Sequence, residues 1–231
     1  MPGRLSSYDD KSFKDELRRR RGPFRDDIGV LAKQYNIAPT KNIPIYTNTG
    51  IYTYAHFGLI PSWAPERKSM QINARSESVY EKSSFKEAYK QRRCLILVNG
   101  YFEWMKDPQT KHSQAYFVHA PSHGYFALAG IYESWYDNVL KRPILTVALL
   151  TTQPNDKIAQ IHDRMPVVLE AEQWNFWLEE GRSYTELNTL FVPLSSEKID
   201  YYPVGISVNS VRNDSPACIE AINEPKQRSL F

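Results

Sequence analysis

The chain has 231 residues, 42% of them hydrophobic and 24% charged, with 15 Tyr, 10 Phe and 5 Trp, which excludes a disordered polypeptide and fits one domain with a real core. No apolar run approaches the roughly 20 residues needed to cross a bilayer, and Met1 to Asp10 lacks the apolar centre of a secretory signal. The formal net charge of +3 permits an acidic partner without demanding one.

The two cysteines, Cys94 and Cys218, are far apart and neither sits in a Cys-x-x-Cys pair. A disulfide framework or a zinc site is not expected, and the reading is two reduced, buried thiols in a cytoplasmic protein. No metal and no cofactor is expected.

In chain order, Phe13 to Arg21 reads as a helix stopped by Gly22-Pro23, with Arg18 to Arg21 at the end where cations suit the helix dipole. A second short helix is expected over Asp26 to Gln34. Tyr35-Asn36-Ile37-Ala38-Pro39-Thr40 reads as an irregular turn. Ile43 to Tyr46 and Tyr52 to Phe57 read as strands around Asn48-Thr49-Gly50. Leu95 to Val98 and Tyr101 to Trp104 flank Asn99-Gly100, a pair favoured in two-residue hairpins. Further strands are expected over Gln114 to His119, Tyr125 to Tyr132, Pro143 to Thr151, Met165 to Leu169 and Ile199 to Val208. Helices are expected over Glu172 to Glu180, ended by Gly181, and over Tyr184 to Phe191. Many strands, few helices and no βαβ alternation predict an α+β single domain around a mostly antiparallel sheet with peripheral helices. The domain is expected to span 1–220, followed by a polar tail, 221–231. A monomer is expected.

No glycine-rich phosphate loop, His-Glu-x-x-His or Gly-x-Ser-x-Gly is present. Chemistry must then come from polar residues set in apolar or turn-rich stretches. A small second residue permits removal of Met1, which would leave Pro2 as a free secondary amine. Such an amine is nucleophilic when unprotonated, and an α-amino pKa of about 7.7–8.0 leaves a neutral fraction at pH 7. Gly3 allows close backbone approach to a ligand. In Asn73-Ala74-Arg75-Ser76-Glu77, Asn73 fits a cap and Arg75 a phosphate fork. Glu103 sits among three aromatics in Tyr101-Phe102-Glu103-Trp104, which suits a raised pKa and proton transfer; alternatively, Tyr101 and Glu103 share a wet strand face. His162, in Ile161-His162-Asp163-Arg164-Met165-Pro166, is either a proton-transfer group or a structural histidine.

These segments occur together with Phe57-Gly58-Leu59-Ile60-Pro61-Ser62-Trp63-Ala64 and Arg92-Arg93-Cys94-Leu95, in an order that resembles the SOS response-associated peptidase (SRAP) family from residue 1 to about Pro216. The resemblance implies a β-rich, barrel-like fold and a basic cleft for single-stranded DNA. It implies action on abasic sites in the DNA damage response, through a crosslink between the N-terminal residue and the sugar aldehyde. It assigns Pro2, Asn73, Glu103 and His162 to catalysis, and Gly3, Arg4, Asn36, Trp63, Arg75 and Arg164 to DNA binding or to the cleft walls. The departure is position 2, where the family carries Cys. Without a thiol no thiazolidine can form, so a hydrolysable Schiff base with possible abasic-site lyase activity is expected. Two alternatives stay open: a disarmed single-stranded DNA-binding module, and a peptidase or other hydrolase built on His162 and Glu103.

Overall fold

A computed structural model describes residues 2–106 and 113–222. The opening stretch forms strand β1 (Arg4–Ser7), helix α1 (Lys11–Arg21), β2 (Arg25–Asp26), β3 (Gln34–Ile37), β4 (Asn42–Thr47) and β5 (Ile51–Phe57). The middle supplies β6 (Asn73–Arg75), α2 (Lys86–Gln91), β7 (Arg93–Val98), β8 (Gly100–Lys106), β9 (Ser113–His119), β10 (Phe126–Asp137) and β11 (Arg142–Thr152). The last part adds β12 (Met165–Pro166), α3 (Trp174–Leu178), α4 (Tyr184–Asn188) and β13 (Asp200–Pro203). The predicted tail beyond residue 222 lies outside the described residues.

The strands form two sheets. The larger is ordered β12-β11-β10-β7-β4-β5-β2, and β11 also pairs in parallel with β5, Thr146 opposite His56 and Val147 opposite Phe57. That extra pairing closes β5-β4-β7-β10-β11 into a barrel, which removes the free edges an open sheet would leave. The smaller sheet runs β13-β9-β8-β1-β3 and is antiparallel throughout. The expected α+β domain with a mostly antiparallel, barrel-like core is what forms.

Strand β7 shows why the two sheets hold together. Its apolar run has no polar alternation, the pattern of a strand buried on both faces. Cys94, Ile96 and Val98 pack in one cluster with Leu5 and Tyr101 of the smaller sheet. Leu95 and Leu97 pack on the other side with Phe13 of α1 and with Trp174 and Trp177 of α3. Cys94 and Cys218 are both buried and free, as read from sequence.

Four local expectations are corrected. Asn99-Gly100 is not a hairpin turn: it is the crossover between the sheets, since β7 pairs with β4 and β10 while β8 pairs with β1 and β9. The Asn99 side chain is buried and pins that crossover. Its Oδ1 accepts from the backbone N–H groups of Tyr8 at 2.7 Å and Asp9 at 3.0 Å, and its Nδ2 donates to the carbonyls of Asp9 at 3.1 Å and Gly124 at 2.8 Å. Gly100 follows because a Cβ there would lie 2.2 Å from Phe117 and 2.6 Å from the Val118 carbonyl. Asn99→Ala, which orphans these groups, is expected to cost about 2–4 kcal/mol, read as a lower urea midpoint at unchanged slope.

The expected helix over Asp26 to Gln34 is absent. The Asp26 carboxylate captures the backbone N–H groups of Ile28 at 3.0 Å and Gly29 at 2.9 Å, and Gly29 turns left-handed at φ 63°, so the backbone is committed to a turn. Tyr35 to Ile37 is strand rather than turn, because β3 pairs with β1. The expected strand over Ile199 to Val208 keeps only β13 and then breaks into a short 3-10 turn at Ile206–Asn209.

Candidate active site

The four groups read as catalytic come from elements far apart in sequence. Glu103 lies in β8, and the antiparallel register Arg4↔Phe102 brings the stretch before Arg4 alongside it. Pro2 is buried there. Asn73 opens β6, which pairs in parallel with β11. Its Nδ2 donates to the Pro2 carbonyl at 3.1 Å, while its Oδ1 is buried with no partner. His162 sits in the loop between β11 and β12, with Nε2 3.7 Å from Glu103 Oε2. The structure therefore brings Pro2, Asn73, Glu103 and His162 into one place. Met1 lies outside the described residues.

Glu103 is 3% exposed, and Tyr101 on the same strand face is fully buried, so that face is dry rather than wet. Burial pushes the Glu103 carboxyl up to about 7, against the opposing positive charge of the chain's amino terminus. A carboxyl near 7 exchanges protons readily at neutral pH. Burial also lowers the His162 pKa, reinforced by the same amino-terminal charge, so the ring is held neutral.

The His162 ring has two competing contacts at Nδ1. It accepts from the Arg164 backbone N–H at 3.0 Å, and it lies 2.8 Å from Asp163 Oδ1. Accepting leaves the ring hydrogen on Nε2, toward Glu103; donating to Asp163 moves it to Nδ1 and frees the Nε2 lone pair. The ring can thus present either a donor or an acceptor to Glu103. At 3.7 Å the pair is just outside hydrogen-bond range, leaving room to tighten around a substrate.

The residues read as DNA-binding divide into two kinds. Trp63 is 64% exposed, and Arg75 is exposed and makes no ion pair among the described residues. Gly3 is not required by the fold: a Cβ there would meet only Ile72 Cδ1, at an ordinary 3.9 Å. Three others are tied into the protein. Arg4 donates to Asn36 Oδ1 at 2.8 Å and to the Val208 carbonyl at 2.9 Å, and lies over the Trp104 ring. Asn36 is buried, and its Nδ2 donates to the carbonyls of Val208, Ser210 and Asn213. Arg164 is buried, forks onto both carboxylate oxygens of Glu77 at 2.6 and 2.8 Å, and donates to the Thr151 carbonyl at 2.7 Å. Glu77 and the loop carrying Val208 and Asn209 were not identified from sequence. Their partners lie 87 and 204 positions away, so no local pattern marks them.

The Arg18–Arg21 block ends α1 and pairs locally with Asp15 and Glu16, and across to Glu172. Arg93 is buried and donates to the carbonyls of Trp177, Tyr89, Lys90 and Glu179. Among the described residues no cluster of three or more His, Cys, Asp or Glu could hold a metal ion, and no helix is long and apolar enough to cross a membrane.

The chain as a whole is similar to known proteins. A family model described as SOS response associated peptidase (SRAP) matches residues 1–211. The abasic site processing protein YoqW of Bacillus subtilis (strain 168) is 37% identical over 200 residues, covering 84% of this chain and 88% of the relative. The abasic site processing protein HMCES of Xenopus tropicalis is 27% identical over 248 residues, covering 91% of this chain and 73% of the relative. A solved structure from Bacteroides thetaiotaomicron superposes with a TM-score of 0.80 at 27% identity, over 94% of this chain and 99% of that one. The match spans the barrel, the smaller sheet and the segments carrying Pro2, Asn73, Glu103 and His162, and the chain belongs to the SRAP family.

Proposed function

We propose that this protein processes abasic sites in single-stranded DNA, using the amine of Pro2, exposed by Met1 removal, to attack the ring-opened sugar aldehyde. The observation that carries the reading is the convergence of buried Pro2 and Glu103 with half-buried Asn73 and His162 in one place. The names of the curated relatives support the choice of substrate.

The chemistry follows from these groups. The unprotonated Pro2 nitrogen adds to the aldehyde carbon as the carbonyl π bond opens onto oxygen, and the N–H proton moves from nitrogen to that oxygen to give a neutral carbinolamine. Protonated Glu103 passes its proton to that hydroxyl, which leaves as water, and an iminium remains. Glu103, now a carboxylate, removes a C2′ proton acidified by the iminium. That electron pair forms an enamine, and its collapse expels the 3′ phosphate, which is lyase chemistry. Water on the iminium returns the amine and releases the sugar. His162 exchanges protons with Glu103 between steps. Asn73 holds the Pro2 carbonyl, and its unpartnered Oδ1 is suited to accept from the carbinolamine hydroxyl.

Arg75, Trp63 and Gly3 offer the strand a cation, an aromatic face and close backbone approach. Arg4, Asn36 and Arg164 shape the walls, Arg164 by holding the His162 loop against Glu77. Arg75→Ala is expected to weaken binding to all sequences alike and to lower the salt slope by about one unit, measured by fluorescence anisotropy across a salt series. The reading is tested by borohydride reduction on an abasic single strand. A covalent protein–DNA product is expected with abasic but not intact DNA; binding without trapping would instead favour a disarmed DNA-binding module. A thiol peptidase finds no support, since Cys94 and Cys218 are both fully buried.

A further inference from the structure

A cleft of about 650 Å³ lies outside this site, between α2 and the segment 180–184. Tyr80 and Tyr184 stack on one another in its wall, with centroids 3.9 Å apart and planes 29° apart. Lys86 and Lys90, one turn apart on α2, also line it; both are exposed and make no ion pair among the described residues. Arg92 lines it as well, with one guanidinium nitrogen on Glu133 and its Nε buried without a partner. Tyr89 is 4% exposed, and its hydroxyl is likewise buried without a partner. Glu180 is the acid in the lining, and Asn48 donates to it at 3.2 Å.

The fold alone does not account for this combination. A stacked tyrosine pair at a cleft wall is a platform for a flat ring. Two lysines on adjacent helical turns, without an ion-pair partner among the described residues, are a seat for an anion. Buried polar atoms without partners are rare and costly. The volume falls in the range of small-molecule sites.

We infer that this cleft binds a nucleotide unit, its base against the Tyr80–Tyr184 pair and its phosphate on Lys86 and Lys90. The inference stands apart from the chemistry at Glu103 and needs no covalent step. One structural link joins the two places: the Tyr184 hydroxyl donates to the Ser76 carbonyl at 3.5 Å, next to Arg75.

The test uses deoxyadenosine monophosphate as the probe, followed by saturation-transfer NMR on the full chain. Saturable binding is expected, with transfer to the base protons, and with adenosine and inorganic phosphate each binding more weakly. The double variant K86E/K90E should weaken the nucleotide by about tenfold or more, and Tyr80→Ala should remove the transfer to the base. Binding weaker than about 10 mM, or equal affinity in the K86E/K90E protein, overturns the inference. An undamaged single-stranded oligonucleotide separates the two sources of such a unit. If it displaces the probe, and K86E/K90E weakens it too, the nucleotide belongs to a bound strand. If the probe stays, the ligand is a free nucleotide. Borohydride trapping at saturating abasic DNA should be unchanged in K86E/K90E, so loss of one reading leaves the other standing.

Discussion

Glu103→Gln is expected to slow adduct formation by about 10²–10⁴-fold, the usual worth of a positioned proton-transfer group, while leaving the affinity for abasic DNA within about threefold. The amide keeps the shape and a donor but cannot give up or take a proton. Single-turnover trapping against DNA titration separates the two quantities. A large loss of affinity at normal rate would make Glu103 structural. The same variant should carry a pH signature in stability. The folded carboxyl titrates at about 7, above its ordinary value of 4.5. Below about 4.5 the group is protonated in both states and contributes no difference. As pH rises from about 4.5 to about 7 the unfolded chain ionises first, and the native protein loses stability relative to the Glu103→Gln variant. The full gap is on the order of 3–4 kcal/mol at about 1.4 kcal/mol per unit. Urea denaturation at about pH 4 and about pH 8 reads it: the variant should gain on the parent only at the higher pH.

Pro2→Cys is expected to turn a hydrolysable adduct into one that survives denaturing electrophoresis without borohydride. The new chain start, once Met1 is removed, carries a primary amine and a thiol on adjacent carbons. Both add to the aldehyde carbon with loss of one water, closing a thiazolidine ring. In the parent, water is expected to regenerate the amine from the iminium, so no band should persist without reductant. A persistent band in the variant shows that the site around position 2 is otherwise intact. Its absence, with DNA binding retained, would place the sugar out of reach of the chain start. An intact-mass measurement on both proteins shows whether Met1 is gone, and its absence is the expected result.

Most of the fold was legible because burial writes itself into local pattern. The β4–β5 hairpin follows from apolar runs around Asn48-Thr49-Gly50, with Gly50 at φ 82°. Helix α1 ends where Gly22 turns to φ 75°. Asn99-Gly100 misled because a dipeptide cannot report which strand its neighbours pair with; the partners of Asn99 lie 25 and about 90 positions away. In the site, Glu103 stood out as a carboxylate inside an aromatic strand, and the structure buries it as that setting suggested. Arg164 shows the limit. A cation beside a candidate catalytic histidine looks the same in sequence whether it faces a phosphate or a carboxylate, and here Glu77 answers its charge.

The central claim is that the chain-start nitrogen of Pro2 is the atom that bonds the sugar. Peptide mapping by mass spectrometry of the borohydride-reduced complex tests it most directly. The reduced sugar should be found on the N-terminal peptide, on Pro2 with Met1 absent. A reduced sugar on any lysine, or none at all despite tight binding to abasic DNA, would contradict it.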